Sequence, residues 1–168
     1  MAWASAVCAG VHGAGSRHVV YVPDNPLSHV LREFRDVYPD ITTTLATREE
    51  EAVGVAAGLY LGGLQPTVMF QSSGLGNSIN ALTSLCVPFE IPLLIVISMR
   101  GDEGEWNAAQ GPMGRAVRPI LDAIGIAHVT AESPETTAAA VRRAAGTALA
   151  TRRPAACLLP RRLTVPRA

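Results

Sequence analysis

The sequence predicts an α/β fold of three layers, in which a parallel sheet is covered by helices on both faces. Segments of strand character alternate with helical segments along the whole chain, which is the pattern of such folds. The strand candidates 67–70 and 92–98 are continuous apolar runs, as expected for strands that are buried on both faces. The chain has 168 residues, 48% of them hydrophobic. This is enough for a sizeable core, so we expect residues 1–168 to form one domain.

In the first half of the chain, small apolar residues predict a helix over 3–11, and the β-branched run 18–22 predicts a strand. Apolar side chains at helical spacing predict a helix over 27–34. The threonine-rich segment 41–45 is expected to be extended. A helix then begins at Glu49 and ends near Gly62, where glycine favours termination.

In the middle of the chain, the apolar run 67–70 predicts a strand. The glycine-rich segment 71–77 predicts a turn that opens a helix through Leu85. The run 92–98 carries the strongest strand signal. The polar segment 99–112 follows, with several glycines and a tryptophan, and predicts a functional loop.

The last third predicts a helix over 113–124, kinked or restarted at Pro119, and a short strand over 127–129. Ser133 followed by Pro134 is typical of a helix start, and this helix is expected to reach Ala150. The final strand is predicted over 154–159. The basic tail after it is expected to fray.

Composition excludes several classes of function. The 14 basic residues, all arginine, balance 14 acidic residues, which argues against a nucleic-acid binder. Neither an apolar run of 18 residues nor a secretion signal is visible, so we expect no membrane span. Three widely spaced cysteines without metal-ligand spacing predict buried free thiols and a cytoplasmic protein.

Polar or glycine-rich residues follow four of the predicted strands. They are Pro23-Asp24-Asn25, Arg48-Glu49, Gln71-Ser72-Ser73-Gly74 and Met99-Arg100-Gly101. Ligands of parallel sheets bind beyond the carboxyl ends of the strands. The sequence therefore predicts one site built from these four loops.

Glu49 is the first of three acidic residues that open a small apolar helix. Acidic residues in a first turn complement the helix dipole, and this explanation is sufficient for Glu50 and Glu51. Glu49 stands where the polar start turns into a buried small-residue face, so its carboxylate can lie at a domain interface.

Other motifs are weaker. A lone Gly74-x-Gly76 lacks the third glycine of a dinucleotide fingerprint, and a phosphate-loop lysine is impossible in a chain without lysine. Ser72 and Ser73 lack a nucleophile-elbow motif. The four histidines are scattered and more typical of packed or exposed side chains than of ligands. The acidic run 102–105 does not have calcium-loop spacing, so we expect a solvated loop.

Three motifs together carry a family resemblance. The first is Glu49-x-x-Ala-Val-x-x-Ala-x-Gly-x-Tyr60, the second is QSSGLGN from Gln71 to Asn77, and the third is QGPMG from Gln110 to Gly114. With Ile97 to Gly101, they resemble the pyrimidine-binding (PYR) domain of thiamine diphosphate enzymes. Within these enzymes the chain resembles the sulfopyruvate decarboxylase α subunit and the matching half of phosphonopyruvate decarboxylase. The resemblance covers residues 22–126.

This resemblance implies a role for Glu49. In the family the matching glutamate hydrogen-bonds N1′ of the cofactor's aminopyrimidine, and this contact promotes removal of the thiazolium C2 proton. Gln71, Ser72, Ser73 and Gly74 are then candidates for the cofactor-binding loop.

The substrate-binding candidates are Asp24, Asn25, Arg100 and Gln110. Asp24 and Asn25 also suit a plain turn. Arg100 suits either a substrate sulfonate or phosphonate, or a structural role on backbone carbonyls.

The resemblance also implies a missing half. These enzymes hold magnesium and the diphosphate on a second domain, marked by Gly-Asp-Gly and a later Asn-Asn, and the sequence has neither. We therefore expect no metal site on this chain and a β subunit that carries the diphosphate-binding domain, in an α2β2 or larger assembly. The expected reaction is decarboxylation of a small acidic 2-oxo acid such as sulfopyruvate or phosphonopyruvate. A carboligase subunit and a non-catalytic regulatory subunit remain alternatives.

Overall fold

The structure is a computed structural model that describes residues 1–165. Its strands are β1 (His18–Tyr21), β2 (Thr42–Leu45), β3 (Pro66–Gln71), β4 (Leu94–Ser98), β5 (Ala127–Thr130) and β6 (Ala155–Leu159). Its α-helices are α1 (Ala2–Gly13), α2 (Leu27–Val37), α3 (Glu49–Leu61), α4 (Ser72–Ala81), α5 (Gly111–Ala123), α6 (Pro134–Thr151) and α7 (Arg161–Thr164).

Within residues 1–165 the strands form one six-stranded sheet in the order β2-β1-β3-β4-β6-β5. Every neighbouring pair is parallel. The strand order reverses between β1 and β3, because the chain first adds β2 on one side of β1 and then continues on the other. Such a reversal opens a crevice at the carboxyl ends of the two strands. The predicted α/β fold is confirmed.

Side chains of the central strands alternate between two cores, because successive residues of a strand point to opposite faces. Val68 and Phe70 of β3 face a core with α3, α4 and α5, while Met69 faces a core with α1, α2 and α6. β4 and β6 are buried along their whole length. The continuous apolar runs in the sequence therefore have the predicted cause.

The edge strand β2 differs from the others. All four of its residues are exposed, and Leu45 is 61% exposed. Its sequence is rich in threonine, which suits a strand whose faces are not covered by helices.

The predicted turn over 71–77 is wrong. Gln71 is the last residue of β3 and Ser72 is already the first residue of α4, so both glycines of this segment lie inside a helix. The helix that was expected to reach Leu85 is α-helical only to Ala81 and continues as a π-helical turn over Leu82–Cys86.

Two helices near the carboxyl end also bear on the predictions. Pro119 lies inside α5, which starts at Gly111 and neither stops nor restarts there. The start of α6 is confirmed, with a capping box between Ser133 and Thr136 and Pro134 in the first turn. The predicted tail includes the short helix α7, and its end, Pro166 to Ala168, lies outside the described residues.

Candidate active site

The polar loops predicted from the sequence lie at one edge of the sheet. Asp24 and Asn25 follow β1, Glu49 follows β2, Gln71 ends β3 and Arg100 follows β4. All four strands are parallel, so their carboxyl ends point the same way.

Glu49 is the first residue of α3 and is half-buried against α4. Its Oε2 accepts a hydrogen bond of 2.9 Å from Asn77 Nδ2. The side chain crosses α4 at Gly74, where a Cβ atom would lie 2.3 Å from Glu49 Cγ and 2.8 Å from Oε1. Glycine is required here because any side chain would occupy the space of the glutamate. α4 therefore holds the carboxylate of Glu49 by one hydrogen bond and one close contact.

The two acidic residues that follow lie in the first turn of α3, as predicted, and contact residues at its start. Glu51 Oε2 accepts hydrogen bonds from Thr47 Oγ1 at 2.6 Å and from Thr47 N at 2.7 Å. The hydroxyl of Thr47 lowers the pKa of Glu51. Glu50 forms an exposed ion pair with Arg48 at 3.1 Å. The two hydrogen bonds from Thr47 to Glu51 fix the start of α3 and so fix where Glu49 emerges.

The first turn of α4 connects two loops of the site. Ser72 is buried, and its Oγ accepts a hydrogen bond of 3.1 Å from the backbone N–H of Arg100. Ser73 is exposed and donates to Gln71 Oε1 at 3.2 Å. Ser72 therefore holds the end of β4 in place, while Gln71 and Ser73 form a polar rim above it.

Asp24 also bridges strand ends. Its Oδ2 accepts a hydrogen bond of 2.6 Å from Ser98 Oγ, the last residue of β4. Asn25 is exposed beside it. The loop after β1 is thus held over the end of β4 by a side-chain contact, which a plain turn does not need.

Arg100 is held by a carboxylate of its own loop. Its Nε and Nη2 donate to the two oxygens of Glu105, at 2.8 and 3.1 Å. The backbone N–H groups of Gly101 and Asn107 donate to the same carboxylate. The Arg100 hydrogen bond holds the pKa of Glu105 at about 2, below the usual 4.5, and the same hydrogen bond raises the pKa of Arg100.

The expectation of a solvated acidic loop over 102–105 is therefore wrong for Glu105, whose side chain is only 5% exposed. Asp102 is also partly enclosed, 3.8 Å from Arg118 Nη1. Asp102 and Glu105 fold inward because arginines after β4, in α5 and in α7 surround this loop, whereas Glu103 is exposed as predicted.

Gln110 ends a short 3-10 helix, Ala108–Gln110, directly before α5. The base of the loop is tightly closed there. A Cβ on Gly101 would lie 2.6 Å from the carbonyl oxygen of Gln110, and a Cβ on Gly114 would lie 2.0 Å from that of Arg100. The QGPMG motif therefore serves close packing between α5 and the end of β4.

Several residues in these contacts were not among the predicted site residues, among them Asn77, Glu105 and Arg161. Asn77 closes the QSSGLGN motif, so its presence there was a usable signal. Glu105 and Arg161 lie 56 positions apart in the chain, with Nη1 of Arg161 3.8 Å from Glu105 Oε2. The residues around Glu105 and around Arg161 do not predict that contact.

Two further features are absent from the described part of the chain, a metal-binding cluster and a membrane-spanning helix. Among residues 1–165, no group of three or more histidine, cysteine, aspartate or glutamate side chains is placed to hold a metal ion. No helix in the described part of the chain is long and apolar enough to cross a membrane.

Comparison with known proteins gives relatives of similar size and relatives that are much longer. No family model matches the chain. Sulfopyruvate decarboxylase subunit alpha from Methanothermobacter thermautotrophicus is 46% identical over 129 residues, which cover 77% of this chain and 78% of that subunit. Phosphonopyruvate decarboxylase from Streptomyces viridochromogenes is 39% identical over 124 residues, which cover 73% of this chain but only 31% of that enzyme.

A solved structure supports the fold. The 2-oxoglutarate:ferredoxin oxidoreductase from Magnetococcus marinus matches all of this chain with a TM-score of 0.77. The sequence identity is 16%, and the chain spans 31% of that enzyme, so this likeness concerns the fold alone. The identity and coverage of the methanogen subunit confirm the resemblance seen in the sequence. This chain belongs to the family of the sulfopyruvate decarboxylase α subunit.

Proposed function

We propose that this chain is the α subunit of a split thiamine diphosphate-dependent decarboxylase, which releases carbon dioxide and an aldehyde from a small acidic 2-oxo acid. Sulfopyruvate and phosphonopyruvate are the candidate substrates, since relatives of this chain are named for them. The observation that carries the proposal is the setting of Glu49. Its carboxylate is pressed onto Gly74, held by Asn77 and left half-exposed at the ligand-binding edge of the sheet.

The residues present fit the pyrimidine end of thiamine diphosphate. The missing side chain at Gly74 makes room for Glu49, and Asn77 occupies one oxygen of the carboxylate from the side. The other oxygen, Oε1, is left to accept a hydrogen bond from a protonated ring nitrogen. Gln71 and Ser73 supply further polar groups at the rim. When bound, thiamine diphosphate supplies the electron sink that allows a 2-oxo acid to lose carbon dioxide.

This chain positions the pyrimidine ring and the substrate, and it holds a proton at the ring. Glu49 holds a proton at the pyrimidine nitrogen, and Asn77 keeps the carboxylate from rotating away. Ser72 and Ser98 fix the loops that carry Arg100 and Asp24. Asp24, Asn25, Arg100 and Gln110 are the proposed contacts to the substrate.

Magnesium and the diphosphate are assigned to a β subunit. Relative length supports this assignment, since the part that matches is only 31% of the phosphonopyruvate decarboxylase. In the pair Gly101-Asp102, which matches only the start of the Gly-Asp-Gly motif, Asp102 lies beside Arg118. Sites would then form between α and β chains in an α2β2 or larger complex.

The surface beside Glu49 is suited to such an interface. Along α3, Gly54 and Gly58 have open space where a Cβ would be, and Leu61 is 72% exposed. Small residues on a helix face allow another backbone to approach closely.

The cytoplasmic location expected from the cysteines remains a prediction, and the three cysteines are free and buried.

The proposal is tested with Glu49→Gln, and Glu50→Gln serves as the matched control one position away. Both variants are co-expressed with the neighbouring gene's product and assayed for carbon dioxide release from sulfopyruvate and phosphonopyruvate, with thiamine diphosphate and magnesium. We expect Glu49→Gln to lose at least ~100-fold in kcat, because it removes the proton-holding carboxylate without a change of shape. Glu50→Gln should retain wild-type turnover. Wild-type turnover by Glu49→Gln would refute the assignment, and product analysis separates decarboxylation from carboligation.

A further inference from the structure

A cavity of about 200 Å³ opens where β1, β4 and β6 end. Two arginines line it, Arg100 after β4 and Arg161 after β6, together with Asn25 and His29. Among the residues described, no acidic side chain lines this cavity. An anion that enters it would therefore meet hydrogen-bond donors and two positive charges.

Glu105 holds both arginines from behind the cavity wall. It binds Arg100 through both oxygens and lies 3.8 Å from Arg161 Nη1. Arg161 Nε also donates to the carbonyl oxygen of Gly104 at 2.9 Å. The side chains of both arginines are nearly buried, with 14% and 13% exposed. Their guanidinium groups are thus fixed before any ligand arrives.

The two guanidinium groups keep unused donors. Within residues 1–165, Glu105 takes Nε and Nη2 of Arg100, and the hydrogen bond of Arg161 uses only Nε. Contacts to Glu105 and to the carbonyl oxygen of Gly104 hold the remaining donors in place. The cavity therefore offers oriented guanidinium donors, which suit the oxygens of a sulfonate or phosphonate group.

A hydrogen bond and a packing contact link the wall of the cavity to the setting of Glu49. The hydroxyl of Ser72 accepts from Arg100 N, and two residues later in the same helix Gly74 packs against Glu49. Neighbouring strands are about 4.8 Å apart, so the loops after β3 and β4, which carry Gly74 and Arg100, lie side by side.

We infer that Arg161, acting with Arg100, binds the second acidic group of the substrate and so selects 2-oxo acids that carry a sulfonate or phosphonate on C3. This inference rests on the proposed function and deepens it. Glu105 is the positioning residue that orients both arginines. Asn25 supplies a further polar group on the cavity wall.

Arg161→Gln tests the inference, and Arg162→Gln is the matched control. Arg162 is the next residue, forms an ion pair with Glu132 and does not line the cavity. The two variants are assayed in the α–β complex with sulfopyruvate, phosphonopyruvate and pyruvate, which lacks the second acidic group.

We expect Arg161→Gln to raise KM for sulfopyruvate or phosphonopyruvate at least ~20-fold, as expected for loss of charge-assisted hydrogen bonds, and to change kcat less than ~3-fold. The kcat/KM for pyruvate should change little. Arg162→Gln should behave as wild type. If Arg161→Gln is poorly folded, Arg161→Lys replaces it, with a smaller rise in KM expected because the charge remains. An unchanged preference for the acidic substrates in a folded Arg161 variant would overturn the inference.

A binding measurement separates this inference from the proposed function. The full chain is titrated calorimetrically with sulfoacetate, a non-reactive anion that carries a sulfonate and a carboxylate. Binding by wild type and by Arg162→Gln, weakened at least ~10-fold by Arg161→Gln, would support the cavity even if the complex decarboxylated none of the three acids. No binding by wild type, or equal binding by Arg161→Gln, would overturn it even if decarboxylation were established.

Discussion

Gly74→Ala is the sharpest perturbation of the proposed catalytic carboxylate, because it leaves Glu49 itself unchanged. The added Cβ would lie 2.3 Å from Glu49 Cγ, 2.7 Å from Cδ and 2.8 Å from Oε1. Ordinary carbon contacts are about 3.5 to 4.0 Å, so the side chain of Glu49 must move by more than 1 Å or the two helices must separate. The contact begins at Cγ, so rotation of the carboxylate alone does not relieve it.

Two opposing effects act on stability. Alanine is favoured over glycine inside a helix by about 1 kcal/mol, and overpacking costs about 1 to 3 kcal/mol. We therefore expect Gly74→Ala to destabilise the chain by about 0 to 2 kcal/mol. The effect on catalysis should be far larger, about 100-fold in kcat, because displacement of a catalytic group by 1 Å can cost that much.

The assay is carbon dioxide release by the α–β complex, together with urea unfolding of each variant. Gly146→Ala is the control: this glycine lies in the exposed part of α6, and a Cβ there meets nothing within 4 Å. It should stabilise the chain by about 1 kcal/mol and leave turnover unchanged. Turnover at the wild-type rate by Gly74→Ala would refute the reasoning that the glycine exists to place Glu49.

The other predictions concern contacts around the site. Asn77→Ala should lower kcat about 10-fold with little loss of stability, since it removes the hydrogen bond that orients Glu49; equal kcat values for variant and wild type would exclude this role. Arg100→Lys should weaken substrate binding, seen as a higher KM, and should affect folding less. Some loss of stability is also expected, because a lysine cannot reproduce both hydrogen bonds to Glu105. An unchanged KM would remove Arg100 from the substrate site. Glu105→Gln should destabilise the chain by about 1.5 to 3 kcal/mol at pH 7. The pKa of Glu105 is about 2 in the folded chain, below the ordinary 4.5, so its stabilisation is present above pH 4.5 and is lost as the pH falls towards 2. The stability difference between Glu105→Gln and wild type should therefore shrink between pH 5 and pH 3 in urea unfolding, and a constant difference would contradict the ion pair.

The sequence was sufficient to predict the fold and the meeting of the four polar loops at one edge of the sheet. Continuous apolar runs are required of strands that are buried on both faces, as Val68 and Phe70 are, together with Met69 between them. The meeting of the polar loops then follows from parallel topology alone, because strand ends that point the same way share one edge. Glu49 could be singled out because it stands at a change from polar to small apolar residues.

The details that could not be predicted are contacts between distant segments. Gly74-x-Gly76 is typical of a turn, but both glycines are helical in the structure, and Glu49 fills the space beside Gly74. Glu105 stands among glycines and other acids, which locally indicates solvent. Its burial depends on Arg100, which follows β4, and on Arg161 in α7. The contact with Arg161 could be predicted only from the pairing of β6 with β4.

A reconstitution titration tests whether the active site is shared between the two chains. The α chain is added stepwise to a fixed amount of the partner subunit, with thiamine diphosphate and magnesium, and carbon dioxide release from sulfopyruvate and phosphonopyruvate is followed. The proposed interface site predicts no turnover by either chain alone and a rate that rises to a plateau near one α chain per β chain. Turnover by the α chain alone, or a rate that does not depend on its addition, would contradict the claim that it carries half of the active site.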